Sequence, residues 1–231
     1  MTTRPLALPG WAVRALEERR LTQWRWPLRP QPEPWRDYHL EGGCQTRDWK
    51  FETGTRTEDG IKHVFGLWMH CGFHESRFQP LPIAPGDVRW VRETWCEAPL
   101  SDHGQCCAYK STATYLCGDK VRPADPIKWR SPVTMPRRFS RWTLTVESVR
   151  VCRLQEFTGD DALREGVGLD PETGAYRGVE SSGVGGATPL FVWPEMAHIE
   201  RLVDRFGIDA WDRNDWCAVA VWKAERRNVD A

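Results

Sequence analysis

Lysine is scarce in this chain: only positions 50, 62, 110, 120, 128 and 223 carry it among 32 basic residues, and the rest are arginine. Guanidinium groups suit planar and phosphate recognition better than ammonium groups do. Yet the formal net charge is zero, which excludes a general electrostatic pull on nucleic acid by the chain as a whole. No apolar run approaches the roughly 20 residues of a membrane span, and the opening MTTRPLALPGW has none of the apolar stretch of a secretory signal. A cytoplasmic protein that binds no membrane is expected. The eight cysteines include no C-x-x-C pair, and in a chain without an export signal they do not read as a disulfide framework. HCGFH offers His70, Cys71 and His74, with Cys44 and Cys96 to complete a tetrahedral site, but the spacing matches no standard zinc module. Dispersed free thiols, no metal and no cofactor are the expectation. The glycine-rich stretch GVESSGVGGATP stands apart from any lysine at the spacing of a phosphate cradle, and no internal repeat is present.

What is present is a chain of 231 residues, 40% hydrophobic with 14 tryptophans, long enough to bury a real core. Its charge is segregated. Residues 4–29 carry a local excess of +4, residues 120–153 one of +7, and residues 155–180 one of −5.

Periodicity places a short helix from Gly10 to Arg19, with Ala12, Val13 and Leu16 on one face. The four prolines of PLRPQPEPW then enforce an extended connection. Residues 36–80 read as an irregular hairpin insertion with turn signals around TGTRTEDGIKH. PGDVRWVRETW is a turn followed by a strand, with 106–110 as a candidate partner. RWTLTVESVRVCRL is one long or bent strand, and WCAVAVWKAE is another. Helices begin at Thr158, with Asp160 and Asp161 in the first turn, and at Pro194, with Gly207 as the stop. Several short strands with turns between them predict an α+β fold built on a small barrel or a strongly bent sheet.

The stretch RRLTQWRWP, residues 19–27, packs three arginines and two tryptophans together. Indoles bury apolar area with arginine stems laid along them; the same groups also stack on bases and pair with phosphates. The order of RRLTQWR, RPQP, PGDVRWVRETW, CCAYK, KWRSPVTMPRRFSR, LTVESVRVCRLQEFTGDDALREGV and AWDRNDWCAVAVWKAER resembles the phage and prophage branch of the ASCH-domain family over nearly the whole chain. The resemblance implies a PUA-like fold, a small β-barrel with flanking helices, and a cleft for RNA or a nucleobase. It implies one domain over 1–231, with an insertion at 36–80 and a glycine-rich loop at 178–188, in a host bacterial cytoplasm. Some small family members are amidohydrolases acting on N4-acetylcytidine. Their signature lysine falls at Leu21, their threonine at Trp24 and their glutamate at Glu165, with the intervening Thr22 retained. Leucine and tryptophan supply neither the base nor the hydroxyl of that chemistry.

The resemblance therefore implies a reader of RNA, single-stranded DNA or a modified nucleoside, with Arg19, Arg20, Thr22, Trp24 and Arg25 lining its cleft. Further candidates are Trp95 for stacking, although its place at a strand end also fits core packing, and Lys110, Arg137 and Arg138 for phosphates, against simple solvation. A hydrolase or nuclease with rearranged groups is the alternative, with Glu165 and Glu93 as its catalytic carboxylates. For Glu93 an ion pair with Arg92 or Arg25 is the structural reading. A module that docks on a host protein through exposed tryptophans is the third.

Overall fold

The computed structural model describes residues 3–32, 50–58, 62–70, 77–97, 107–112, 114–115, 128–178 and 189–230. In chain order the strands and helices are β1 (Thr3–Ala7), α1 (Gly10–Glu17), β2 (Gln23–Pro27), β3 (Lys50–Glu58), β4 (Lys62–His70), β5 (Arg77–Pro80), β6 (Val88–Arg92), β7 (Trp95–Glu97), β8 (Cys107–Tyr109) and β9 (Thr114–Tyr115). They continue as β10 (Thr143–Arg153), α2 (Gly159–Arg164), β11 (Tyr176–Arg177), β12 (Leu190–Phe191), α3 (Pro194–Phe206), α4 (Ile208–Asp212) and β13 (Trp216–Glu225). The chain is thus a strand-rich α+β protein. No helix among the described residues is long and apolar enough to cross a membrane.

The central sheet has five strands in the order β1-β6-β10-β13-β2, with β1 parallel to β6 and every other pair antiparallel. A register shift between Val146 and Ser148 bulges β10, so that its first residues pair with β6 while its whole length follows β13. The expected small barrel does not close: among the described residues no ladder joins the outer strands β1 and β2. Alternation predicts strands and their faces; closure depends on which edges meet, and here both edges end outside a ladder. Pro5, which has no N–H to donate, sits in outer strand β1. At the other edge the Arg205 guanidinium donates to the carbonyl oxygen of Arg25 in β2.

One face of the sheet carries Trp24, Ala218, Ala220 and Trp222. Helix α1 covers part of it, burying Ala12, Val13 and Leu16 against Leu21, Trp24, Trp142 and Trp222. The segment predicted as an irregular hairpin covers the rest. It forms the meander β3-β4-β5, whose Leu67 and Met69 pack on Val146, Val149 and Ala218. The opposite face, with Arg25, Cys152, Cys217 and Val219, lies under α2 and α3. A small sheet β7-β8-β9 and the turns at Pro132–Thr134 and Arg137–Phe139 enclose a separate core of Trp95, Tyr109, Met135 and Phe139. The stretch 179–188, which holds most of the predicted glycine-rich loop, lies outside the described residues.

The exit of α1 departs from the usual chemistry of a helix end. Arg19 N–H bonds Leu16 O at 2.9 Å and Arg20 N–H bonds Ala15 O at 2.8 Å, the paired bonds of a Schellman cap. The left-handed position of that cap, normally glycine, is Arg19 at φ 57°. Strain there of about 1–2 kcal/mol for a side-chain residue exceeds the ~0.5–1 kcal/mol entropic cost of glycine. Arg19→Gly is therefore expected to raise stability by roughly 0.5 kcal/mol in urea unfolding; a loss of stability would show that the arginine side chain itself holds the corner.

Candidate functional site

Arg19 and Arg20 of the RRLTQWRWP stretch form the corner at the exit of α1, and Gln23–Pro27 form β2, whose period of two divides its side chains between opposite faces. Gln23 and Arg25 turn toward α2 and α3, while Trp24 turns toward α1. Facing Gln23 and Arg25 is Glu165, which caps the C-terminus of α2 and forms an isolated antiparallel bridge with Leu21. Gly166 follows at φ 90°; a Cβ there would stand 2.9 Å from the Ala15 side chain, so only glycine lets the end of α2 close on α1.

The result is a buried polar knot. Glu165 Oε1 accepts from Arg25 Nε at 2.7 Å and from Gln23 Nε2 at 3.1 Å. Gln23 also donates to Asp161 Oδ1 at 3.0 Å, and Arg150 donates to the same oxygen at 2.8 Å. His198 Nε2 stands 3.4 Å from Glu165 Oε2. Glu165 and His198 are 2% exposed and Arg25 is fully enclosed. Burial raises the Glu165 carboxyl above the usual range, although Arg25 and Arg205 oppose it. Burial also works against the Arg25 charge, but Glu165 and the thiols of Cys152 and Cys217 outweigh it and raise that guanidinium further. His198 is pushed down to about 3, first by burial and then by Arg25, Arg201 and Arg205, so it is neutral at physiological pH.

On the other side of β2 a cavity of about 290 Å³ opens between the start of α1 and the second half of α3, lined by Ala7, Pro9, Trp11, Trp24, Arg201, Asp204 and Arg205. The indoles of Trp11 and Trp24 lie 5.7 Å apart, centre to centre. Arg201 stacks on Trp11 at 4.4 Å and Arg205 on Trp24 at 3.6 Å. Desolvation lowers the Arg205 guanidinium below the ordinary arginine value against the pull of Glu165, and it stays cationic at neutral pH.

A larger hollow of about 650 Å³ lies at the far end of α1, where Arg19, Thr22, Lys223 and Arg226 surround a floor that includes Leu21 and Trp222. Glu17, on its wall, links it to a second buried ion pair through Arg141 Nη1 at 3.0 Å. Arg141 grips Glu93 with two bonds of 2.8 and 2.9 Å, and Ser111 Oγ donates to the same carboxylate. The structural partner of Glu93 is therefore Arg141, not Arg92 or Arg25.

The chain matches no protein-family model, no curated protein and no solved structure. Function has to be read from the geometry. Of the residues singled out in the sequence, Trp24 lines the smaller cavity, and Arg19 and Thr22 line the larger. Arg20 is turned back to Glu18 and to Gly166 O. Arg25, Glu165 and Glu93 are buried in ion pairs and line neither cavity. Trp95 is 1% exposed and packs in the core beside Phe139, so it presents no face for a base to stack on. Lys110 is exposed, Arg137 pairs with Asp230 at 2.6 Å, and Arg138 lies over the Phe139 ring. Among the described residues no group of three or more His, Cys, Asp or Glu is placed to hold a metal; Cys44, Cys71 and His74 fall outside them. The residues that sequence reading passed over are Trp11, Arg201, Asp204 and Arg205. Their signal was the recurrence of Arg201, Asp204 and Arg205 at three- and four-residue spacing on an otherwise amphipathic helix.

Proposed function

We propose that the protein is an ASCH-type, PUA-like reader of single-stranded nucleic acid, RNA first, or of a modified nucleobase, acting in the bacterial cytoplasm. One observation carries this reading: the smaller cavity sets the half-buried Trp11 indole beside the guanidiniums of Arg201 and Arg205, with the buried Trp24 in its lining and a carboxylate at its lip. Aromatic faces stack on bases whatever their sequence, and arginine adds phosphate contacts and cation–π contacts. Asp204 is an acceptor for an exocyclic amino group. At about 290 Å³ the cavity is at the small end of ligand pockets (roughly 300–1,000 Å³), in the size class of a single base. The order of sequence motifs supports the same assignment. The hydrolase alternative has less support, because its carboxylates Glu165 and Glu93 are enclosed and paired with arginines.

Calorimetric titration with single-stranded RNA, single-stranded DNA and modified nucleosides tests the reading. Trp11→Ala is expected to weaken binding by about 10-fold or more, the ~1–3 kcal/mol of one base–aromatic contact. Affinity for oligonucleotides should also fall with salt in proportion to the phosphates engaged. Equal affinity of wild type and Trp11→Ala removes the cavity from the reading, and no binding at low salt to any of the three ligand classes removes the reading itself.

A further inference from the structure

The helix-covered face of the central sheet holds a pair of sulfurs that the binding cleft does not use. Cys152 in β10 and Cys217 in β13 are register partners, and their Sγ atoms lie 3.8 Å apart. Directly opposed residues of antiparallel strands have Cα atoms about 4.5–5.5 Å apart, inside the ~4.4–6.8 Å window in which a disulfide closes without moving the backbone. The pair is not embedded in hydrocarbon alone. Arg25, on neighbouring strand β2, brings Nη1 to 3.2 Å from Cys152 Sγ and 3.9 Å from Cys217 Sγ. Arg150, two residues before Cys152 in the same strand, adds a second cation on that face.

A thiol beside fixed guanidiniums is in the electropositive setting that makes cysteine reactive. The hydrogen bond from Cys217 is the first influence on Cys152; with Arg25 and Arg150 it overcomes burial and brings the thiol down to about 7. Cys217 is driven upward, chiefly by the same contact and by burial, and keeps its proton. Cys96 gives the contrast within the chain: it is equally enclosed, and burial pushes it up.

We propose that Cys152 and Cys217 are a peroxide-reactive dithiol, with Cys152 the attacking thiolate, Cys217 the resolving thiol and Arg25 the cation that holds the thiolate. In the first step Cys152 Sγ attacks one oxygen of a hydroperoxide; the S–O bond forms as the O–O bond breaks, and the departing oxygen leaves as an alcohol or water after taking up a proton. The Cys217 sulfur then attacks the resulting sulfenic acid. The S–S bond forms, the S–O bond breaks, and the hydroxyl leaves as water with the Cys217 proton. The two sulfurs lose two electrons and the peroxide gains them. Cys152 is 6% exposed and Cys217 is 1% exposed, so a bulky disulfide such as oxidised glutathione is shut out and the oxidant of this dithiol has to be a small hydroperoxide.

The full-length reduced protein is exposed to hydrogen peroxide or to oxidised glutathione, denatured in an alkylating agent, digested and mapped by mass spectrometry. Hydrogen peroxide is expected to yield the Cys152–Cys217 linked peptide, lighter by two hydrogens, while Cys96 stays alkylated; oxidised glutathione is expected to leave both thiols free. In Cys217→Ser, dimedone should trap a sulfenic acid on Cys152. The proposal is overturned if both thiols are still alkylated after peroxide has oxidised other cysteines of the chain. Cys152 linked to a different cysteine, or Cys152 without a dimedone adduct in a folded Cys217→Ser protein, overturns it equally.

Discussion

Arg25→Met should lower the free energy of unfolding by about 3–5 kcal/mol, the cost of leaving one member of a buried ion pair without its partner. Arg25 is fully enclosed and Glu165 nearly so, and their bond of 2.7 Å is the shortest direct tie between α2 and β2. With the guanidinium gone, the Gln23 amide is the hydrogen bond left to the carboxylate among the described residues, with the neutral His198 Nε2 at 3.4 Å from its other oxygen. The companion variant Arg25→Met/Glu165→Met removes both charges and should regain most of the loss, because two apolar groups of similar volume carry no desolvation penalty. Urea midpoints of the wild type, Arg25→Met, Glu165→Met and the double variant complete the cycle. A single-variant loss below about 1 kcal/mol would mean that water reaches Glu165 and that the pair does not hold the helix to the sheet.

Acid should destabilise the fold through His198. Its folded value of about 3 lies below the ordinary 6.5 because burial, and then Arg25, Arg201 and Arg205, disfavour the imidazolium. A folded value that is depressed means stability fully present above pH ~6.5 and lost as pH falls toward 3, since the unfolded chain takes up the proton first. Between pH 7 and 4.5 the loss from this residue is about 3 kcal/mol, at ~1.36 kcal/mol per unit. Asp161, held down by Gln23, the Thr158 backbone and two arginines against its burial, adds to the loss at lower pH. Glu165 runs the other way: burial raises its carboxyl, so its proton uptake in the folded state offsets part of the decline. His198→Gln isolates the histidine. Its stability relative to wild type should improve by about 3 kcal/mol on going from pH 7 to pH 4.5 in urea titrations. Parallel pH profiles for the two proteins would show that His198 titrates near its ordinary value.

Local signals carried much of the fold. The capping box at Thr158 and Asp161, the first-turn proline of α3 with Gly207 at its end, and the apolar face of α1 are all written within a few neighbouring residues, and each helix stands where those residues put it. The alternation in 141–154 and 216–225 likewise gave the two longest strands of the central sheet. What escaped were the long-range choices. Strand β1 has a proline in its middle and pairs in parallel with residues some eighty positions away, for which no local pattern exists. The arginines and tryptophans of 19–27 looked like one cluster because sequence distance says nothing of face; as a strand they serve two different environments, a charged one beneath α2 and an aromatic one beside α1. The partner of Glu93 is 48 residues away. Composition named the residue types of the cleft, but α3, which supplies three of its seven lining residues, shows in the sequence only as an amphipathic helix.

The two outer strands of the central sheet have a consequence for how the molecule meets its own copies. An open sheet normally offers a row of free backbone donors and acceptors on which another chain can grow a strand, the first step toward swapped dimers and fibres. At one border Pro5 interrupts the row of donors, and at the other Arg205 occupies the carbonyl of Arg25 with a charged group. The guanidinium that walls the cleft thus also acts as a gatekeeper against intermolecular β-pairing, so the cleft and the colloidal behaviour of the protein depend on the same side chain.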